Sequence, residues 1–204
     1  MPLVLVMVFF SVVCHEIAHG YTALLLGDHT AERMGRLSFN PIVHVDLFGT
    51  IILPAILIIS KSPFLFAWAK PVPVNPAYFR DPRKGMMLVA LAGPAANLAI
   101  AILLSIVLLI AGGILPVFFT KTIAWVSLIN IMLMVFNLLP IPPLDGSRIV
   151  ARFLKGKALW HYLKLERYGM FIVFGLLFLG VISSILYPAM NLAVKLLGLM
   201  PYLR

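Results

Sequence analysis

Long apolar runs alternate with short polar stretches along this chain. Four runs, at residues 3–26, 85–114, 120–139 and 169–187, are nearly free of charge. A helix rises about 1.5 Å per residue, so each run is long enough for the roughly 30 Å of bilayer hydrocarbon. Each ends on helix-breaking residues: Gly27-Asp28, then Gly112, Gly113 and Pro116, then Pro140, Pro142 and Pro143, and finally Pro188. A fifth apolar run, 47–68, carries Pro54, Lys61 and Pro63. It reads as a re-entrant hairpin, with a full crossing as the rival; non-helical backbone at that depth is tolerated where protein covers it. Residues 36–39 alternate weakly before the turn signal Asn40-Pro41, which predicts a short extended segment. The tail 189–199 is short enough to be interfacial. Residues 2–13 lack a basic start and a small-residue cleavage site, so the first run is a retained span rather than a secretory signal.

Composition sharpens this picture. Of 204 residues, 62% are hydrophobic and 11% charged, where soluble domains carry about a quarter charged residues. An all-α polytopic membrane protein of one domain, 1–204, is expected. The net charge of +9 would point to nucleic acid in a soluble protein. Here it reads as the positive-inside bias of cytoplasmic loops, and no nucleic-acid partner is expected. Twelve of the 16 basic residues fall in three places: Arg33 and Arg36; Lys70, Arg80, Arg83 and Lys84; and Arg148, Arg152, Lys155, Lys157, Lys164 and Arg167. With all three cytoplasmic, the four spans run inward, outward, inward and outward. The single cysteine, Cys14, excludes an internal disulfide.

One stretch contradicts its surroundings. Residues 14–20, CHEIAHG, set His15, Glu16 and His19 in the first span. Ionisable side chains inside a span cost about 2.5–3.5 kcal/mol each on insertion scales, so three in five residues are costly as mere structure. The spacing is H-E-x-x-H. Positions i and i+4 share a helix face, so both imidazoles can reach one ion. Glu16 lies about 100° round the helix, within reach of a general-base position. A hydrolytic zinc site takes three protein ligands and leaves one position open. Asp145 is the expected third ligand, because it follows the proline-broken end of the third span and arrives at the depth of the histidines. His44 or Asp46 is the alternative. His44 also stands as a possible support behind the ligands. Asn97 is polar in mid-span and a candidate for the cavity wall.

These residues carry a family resemblance. The motifs HEIAHG at 15–20, ALAGPAANL at 90–98 and NLLPIPPLDG at 137–146 resemble the site-2 proteases, intramembrane zinc metalloproteases. The stretches GRLSFNPIVHVDLFGT and WAKPVPVNPAYFRDPRKGMMLVALAGP are similar to the compact prokaryotic branch without a PDZ domain. The likeness runs from about residue 12 to 150. It implies a three-helix metalloprotease core (about 3–150) followed by one or two C-terminal helices (about 151–204). It implies one Zn2+ per chain on His15, His19 and Asp145, Glu16 as catalytic acid/base, and Asn137 holding substrate or an oxyanion. One departure stands out: the family often carries a helix before the His-Glu helix, whereas this chain starts almost at it.

The function expected is hydrolysis of peptide bonds in or near transmembrane segments of membrane-protein substrates. The expected setting is a prokaryotic cell membrane, with the site nearer the cytoplasmic face. Segments 36–39 and 47–68 are candidates for pairing with an extended substrate. The alternatives are a divalent-metal transporter, which predicts carboxylates along a path through the bilayer, and a catalytically inactive binder of membrane proteins. Substrate identity and oligomeric state are not encoded in any motif.

Overall fold

The computed structural model describes residues 2–61 and 67–203. Three long helices form the frame: α1 (Pro2–Leu25), α4 (Pro82–Ala111) and α5 (Val117–Asn137). All three are long and apolar enough to cross a membrane, and no strand occurs among the described residues. Between α1 and α4 lie the single turn α2 (Thr30–Arg33), a 3-10 turn at Pro41–His44, and a π-helical stretch at Leu47–Ile52 that runs into α3 (Leu53–Ile59). After α5 come α6 (Asp145–Phe153), α7 (Gly156–Lys164), α8 (Gly169–Phe178) and α9 (Val181–Leu196).

The second and third spans begin three residues earlier than hydropathy alone placed them. A side-chain cap sets the start of α4. Asp81 accepts hydrogen bonds from the N–H groups of Arg83 (3.1 Å) and Lys84 (3.0 Å), and Pro82 occupies the first helical position, where its missing N–H costs nothing. Pro116 sits one place further out, as the residue just before α5, and brings no side-chain cap.

Polar pairs fix the helices against each other. The Asn130 amide of α5 donates to the Ser11 hydroxyl of α1 at 2.9 Å. Ser127 of α5 donates to the Ala101 carbonyl of α4 at 2.9 Å and meets the Ser105 hydroxyl at 3.0 Å. In lipid, where helices gain nothing from leaving water, such bonds and close packing hold a bundle together.

The fourth span, expected as one helix over 169–187, is broken. Gly180 sits at φ +74, its N–H bonds the Leu177 carbonyl, and the chain turns by 70° between α8 and α9. A left-handed glycine after the last turn is a usual helix stop. At about 1.5 Å per residue neither α8 nor α9 alone reaches across 30 Å. Pro188, expected as the terminator, lies inside α9. The tail 189–199 is likewise not a separate interfacial piece: Val194 and Leu199 pack into a core with Leu108, Ala124 and Leu128. The bend wraps the proline-rich turn after α5, where Leu139, Val173 and Ile182 form a buried cluster.

Segment 47–68 leaves and returns at one level. The Trp68 N–H donates to the Gly49 carbonyl (3.2 Å), the Thr50 hydroxyl donates to the Trp68 carbonyl (2.8 Å), and the Lys70 N–H donates to the His44 carbonyl (2.9 Å). A crossing segment would hold its ends about 30 Å apart, so the geometry is that of re-entry. Residues 62–66, including Pro63, lie outside the described residues. Residues 36–40 form bends rather than a paired strand; Arg36 is buried and donates to the Lys70 carbonyl at 2.7 Å. The long irregular stretch is instead 67–75. Pro71 and Pro73 keep it out of helix, since each proline also restricts the residue before it.

Candidate active site

His15 and His19 lie one turn apart on α1, with their Nε2 atoms 3.0 Å apart. Asp145 opens α6 directly after the Pro140–Leu144 turn. Its Oδ2 is 3.2 Å from His15 Nε2 and its Oδ1 3.4 Å from His19 Nε2. One ligand atom from each residue lies within 4.8 Å of the others. Both histidines are buried.

The donor set suits a cation. His19 Nδ1 lies 2.7 Å from the Val89 carbonyl. A carbonyl only accepts, so Nδ1 carries the proton, and in the neutral ring Nε2 presents its lone pair inward. The carboxylate adds further lone pairs to the same point. Asp145 Oδ2, though near His15, makes no hydrogen bond and is buried. Buried acceptors left without donors are costly, and two imidazole nitrogens with a carboxylate are ordinary zinc ligands.

Tight backbone approach builds this convergence. A Cβ on Gly93 of α4 would lie 2.5 Å from His19 Cε1 and Nε2 and 2.6 Å from His15 Cε1. Gly93 thus makes room for both imidazoles. A Cβ on Gly146 would lie 2.1 Å from the Leu138 carbonyl oxygen, so the residue after Asp145 must be glycine for α6 to seat against the end of α5.

Glu16 points into the same cavity as the triad. Its Oε2 accepts the Val72 N–H at 2.9 Å, so the 67–75 stretch holds it. The cavity encloses about 1160 Å³ between α1, α4, α5 and α8. Its walls are mostly apolar, with Val12, Met132, Phe136, Phe174 and Leu177 among them, and its polar lining includes the triad, Glu16 and Arg148. Asn97 lines it, fully buried, with Oδ1 unpaired. Asn137 also lines it, its amide donating to the Leu133 carbonyl at 2.9 Å.

The other carboxylate and imidazole candidates are placed differently. His44 is buried, with Nε2 2.9 Å from the Ser38 carbonyl, and it braces the loop before the re-entrant segment. Asp46 accepts from the Gly49 N–H at 2.6 Å and caps that segment. Neither joins the cluster, and among the described residues His15, His19 and Asp145 form the one group able to hold a metal. Segment 36–39 is absent from the cavity wall, which Trp68, Ala69, Pro71, Val72 and Val74 line instead. Sequence reasoning missed Val72, whose contribution is a backbone N–H, and the α8 residues Met170, Phe174, Leu177 and Phe178. The alternating Pro-Val repeat at 71–74 was the available signal for an extended wall.

Relatives agree with this chemistry. The chain is 40% identical over 203 residues to the Bacillus subtilis protein named "Putative zinc metalloprotease YwhC", covering 94% of this chain and 87% of that one. It is 30% identical over 184 residues to "Putative zinc metalloprotease Rip2" of Mycolicibacterium smegmatis, covering 89% of this chain and 65% of the relative. It is 27% identical over 202 residues to "Zinc metalloprotease MJ0392" of Methanocaldococcus jannaschii, covering 97% of this chain and 46% of the relative. No solved structure matches it. The description "Peptidase family M50" matches residues 3–119 and 112–180. A membrane-helical chain with a His-His-Asp cluster beside a glutamate therefore belongs to peptidase family M50, the site-2 protease family of zinc metalloproteases.

Proposed function

We propose that this protein cuts peptide bonds in or next to transmembrane segments of other membrane proteins, acting as a single domain over 1–204. The observation that carries the reading is the placement of the His15, His19 and Asp145 cluster, with Glu16, in an apolar cavity among membrane-length helices. The basic residues after α1, before α4 and after α5 support a setting in the cell membrane with that cavity nearer the cytoplasmic face.

In this reading His15, His19 and Asp145 hold one Zn2+, which when bound supplies a Lewis acid for the scissile carbonyl and an acidified water. Glu16 takes the proton from the attacking water and returns it to the leaving amine. The Val72 N–H steadies the Glu16 carboxylate between those steps. Val89 fixes the His19 tautomer through Nδ1, a bond that orients a ligating imidazole. Asn97 and Asn137 offer amides to the unwound substrate backbone, and Asn97 Oδ1 is unpaired in readiness for an N–H. His44, on its contacts, supports the loop carrying the re-entrant segment rather than the ligands. The apolar walls exclude water from the reacting groups and accept a hydrophobic segment.

Glu16→Gln tests this. It removes the proton acceptor and leaves the ligands, so zinc content should stay at one per chain. Cleavage of a co-expressed single-span substrate should fall by about 10²–10⁴-fold. Undiminished cleavage in that variant would refute the role of Glu16. Membrane proteomics comparing wild type with Glu16→Gln identifies the substrate.

A further inference from the structure

Helix α7 has no buried residue. It is nevertheless held in one orientation. The Tyr162 hydroxyl donates to the Pro140 carbonyl at 2.9 Å, and Glu166, just beyond the helix, pairs with Arg148 of α6. The side bearing Tyr162 therefore faces the protein. The opposite side presents Lys157, Trp160 and Lys164, with Lys155 at the helix start. The Lys164 ammonium lies 3.4 Å above the Trp160 ring. Trp160 is 54% exposed and Tyr168, further along, 56%.

The charge here is one-sided. Glu166 is the only carboxylate after Asp145 in the sequence, and Arg148 takes it. Lys155, Lys157, Lys164 and Arg167 have no carboxylate partner among the described residues. Position agrees with charge. The Asp81–Arg152 pair (3.4 Å) sets the far end of α6 beside the start of α4, at a helix end of the bundle rather than its middle. A short helix with aromatic and basic residues on its outer side, lying level with span ends, has the make-up of an interfacial helix. Tryptophan and tyrosine settle at headgroup depth.

We propose that the outer face of α7 binds the anionic headgroups of one leaflet, with Trp160 at headgroup depth and Lys155, Lys157 and Lys164 on the lipid phosphates. This does not rest on the proteolytic reading. Each lysine near an anionic surface is worth about a fivefold preference for the charged lipid.

The test uses the full chain in nanodiscs of phosphatidylcholine doped with nitroxide-labelled phosphatidylglycerol or, separately, nitroxide-labelled phosphatidylcholine. The Trp160 signal is the difference between wild type and Trp160→Phe. Labelled phosphatidylglycerol should quench it several-fold more strongly than labelled phosphatidylcholine. The variant Lys155→Gln/Lys157→Gln/Lys164→Gln should lose the preference with an unchanged melting temperature, and added salt should weaken it in the wild type. Native mass spectrometry of the same pair reads retained phosphatidylglycerol independently, and the triple variant should retain less. Equal quenching by both lipids overturns the proposal, as does a preference that survives the triple substitution. Displacement by soluble polyglutamate without any lipid preference also overturns it, in favour of an acidic protein partner.

Discussion

At the level of single residues, the site depends on atoms that are missing as much as on those present. His15, Glu16 and His19 stand out in the sequence because ionisable side chains in a span are costly and their spacing is that of a metal site, and Asp145 because it follows the proline-broken end of the third span. Gly93 does not, since small residues in a span usually serve helix packing. Gly93→Ala should therefore act on metal rather than on the bundle. Its Cβ would press on both imidazoles, and disturbing the groups that orient metal ligands typically costs about 10–100-fold in metal affinity. Zinc per chain after dialysis against a weak chelator should fall, while the melting temperature of the metal-free protein changes little. Zinc retained as in wild type would show that the rings can move aside. Val72 marks the other limit of legibility. It holds Glu16 through its backbone N–H, which any residue except proline supplies, so no side-chain pattern announces it.

At the level of elements, hydropathy found every long helix but not how one of them breaks. The run 169–187 is continuously apolar through Gly180, and hydropathy measures composition, not the sign of φ. Residues 69–75 likewise belong to no apolar run, yet they form a wall of the cavity. Asp28 anchors that wall. It is fully buried and accepts from the Thr30 N–H at 2.9 Å, the Thr30 hydroxyl, and the Asn75 N–H at 2.6 Å. Burial alone would raise its pKa; the hydrogen bonds from Thr30 and Asn75 outweigh that and hold it below the ordinary carboxylate range. A carboxyl lowered in the folded state stabilises fully above its unfolded pKa of about 4 and stops doing so as pH falls through the folded value. Asp28→Asn should lower stability at neutral pH by about 1–3 kcal/mol, as expected for lost hydrogen bonds to a charged group. The gap between wild type and variant should narrow below about pH 4. Thermal unfolding in detergent across that range measures it. A gap independent of pH would mean that the carboxylate charge contributes nothing.

At the level of the whole molecule, membrane orientation and catalysis place the same demand on the chain. The ends of α1 and α5 and the start of α4 must share a face for His19, Asp145 and Val89 to meet, and the re-entrant segment must return to that face for Val72 to reach Glu16. The basic residues cluster at those same ends: Arg33 and Arg36 after α1, Arg83 and Lys84 at the start of α4, and Lys155 and Lys157 after α6. Short loops rich in lysine and arginine are retained in the cytoplasm, and that charge rule is the ground for the cytoplasmic side proposed above. Cysteine scanning in a Cys14→Ser background tests this directly. Single cysteines at Arg33, Arg80 and Lys157 should resist a membrane-impermeant thiol reagent in intact cells and react once the membrane is opened. One at Gly113, in the short turn between α4 and α5, should react in intact cells. Cysteines at Leu47 and Lys70 should behave like Arg33, because the hydrogen bonds from Trp68 to Gly49 and from Lys70 to His44 hold both ends of the segment at one level. Opposite labelling at 47 and 70 would make that segment a crossing, put Arg33 and Arg80 on different faces, and separate Glu16 from the wall that holds it.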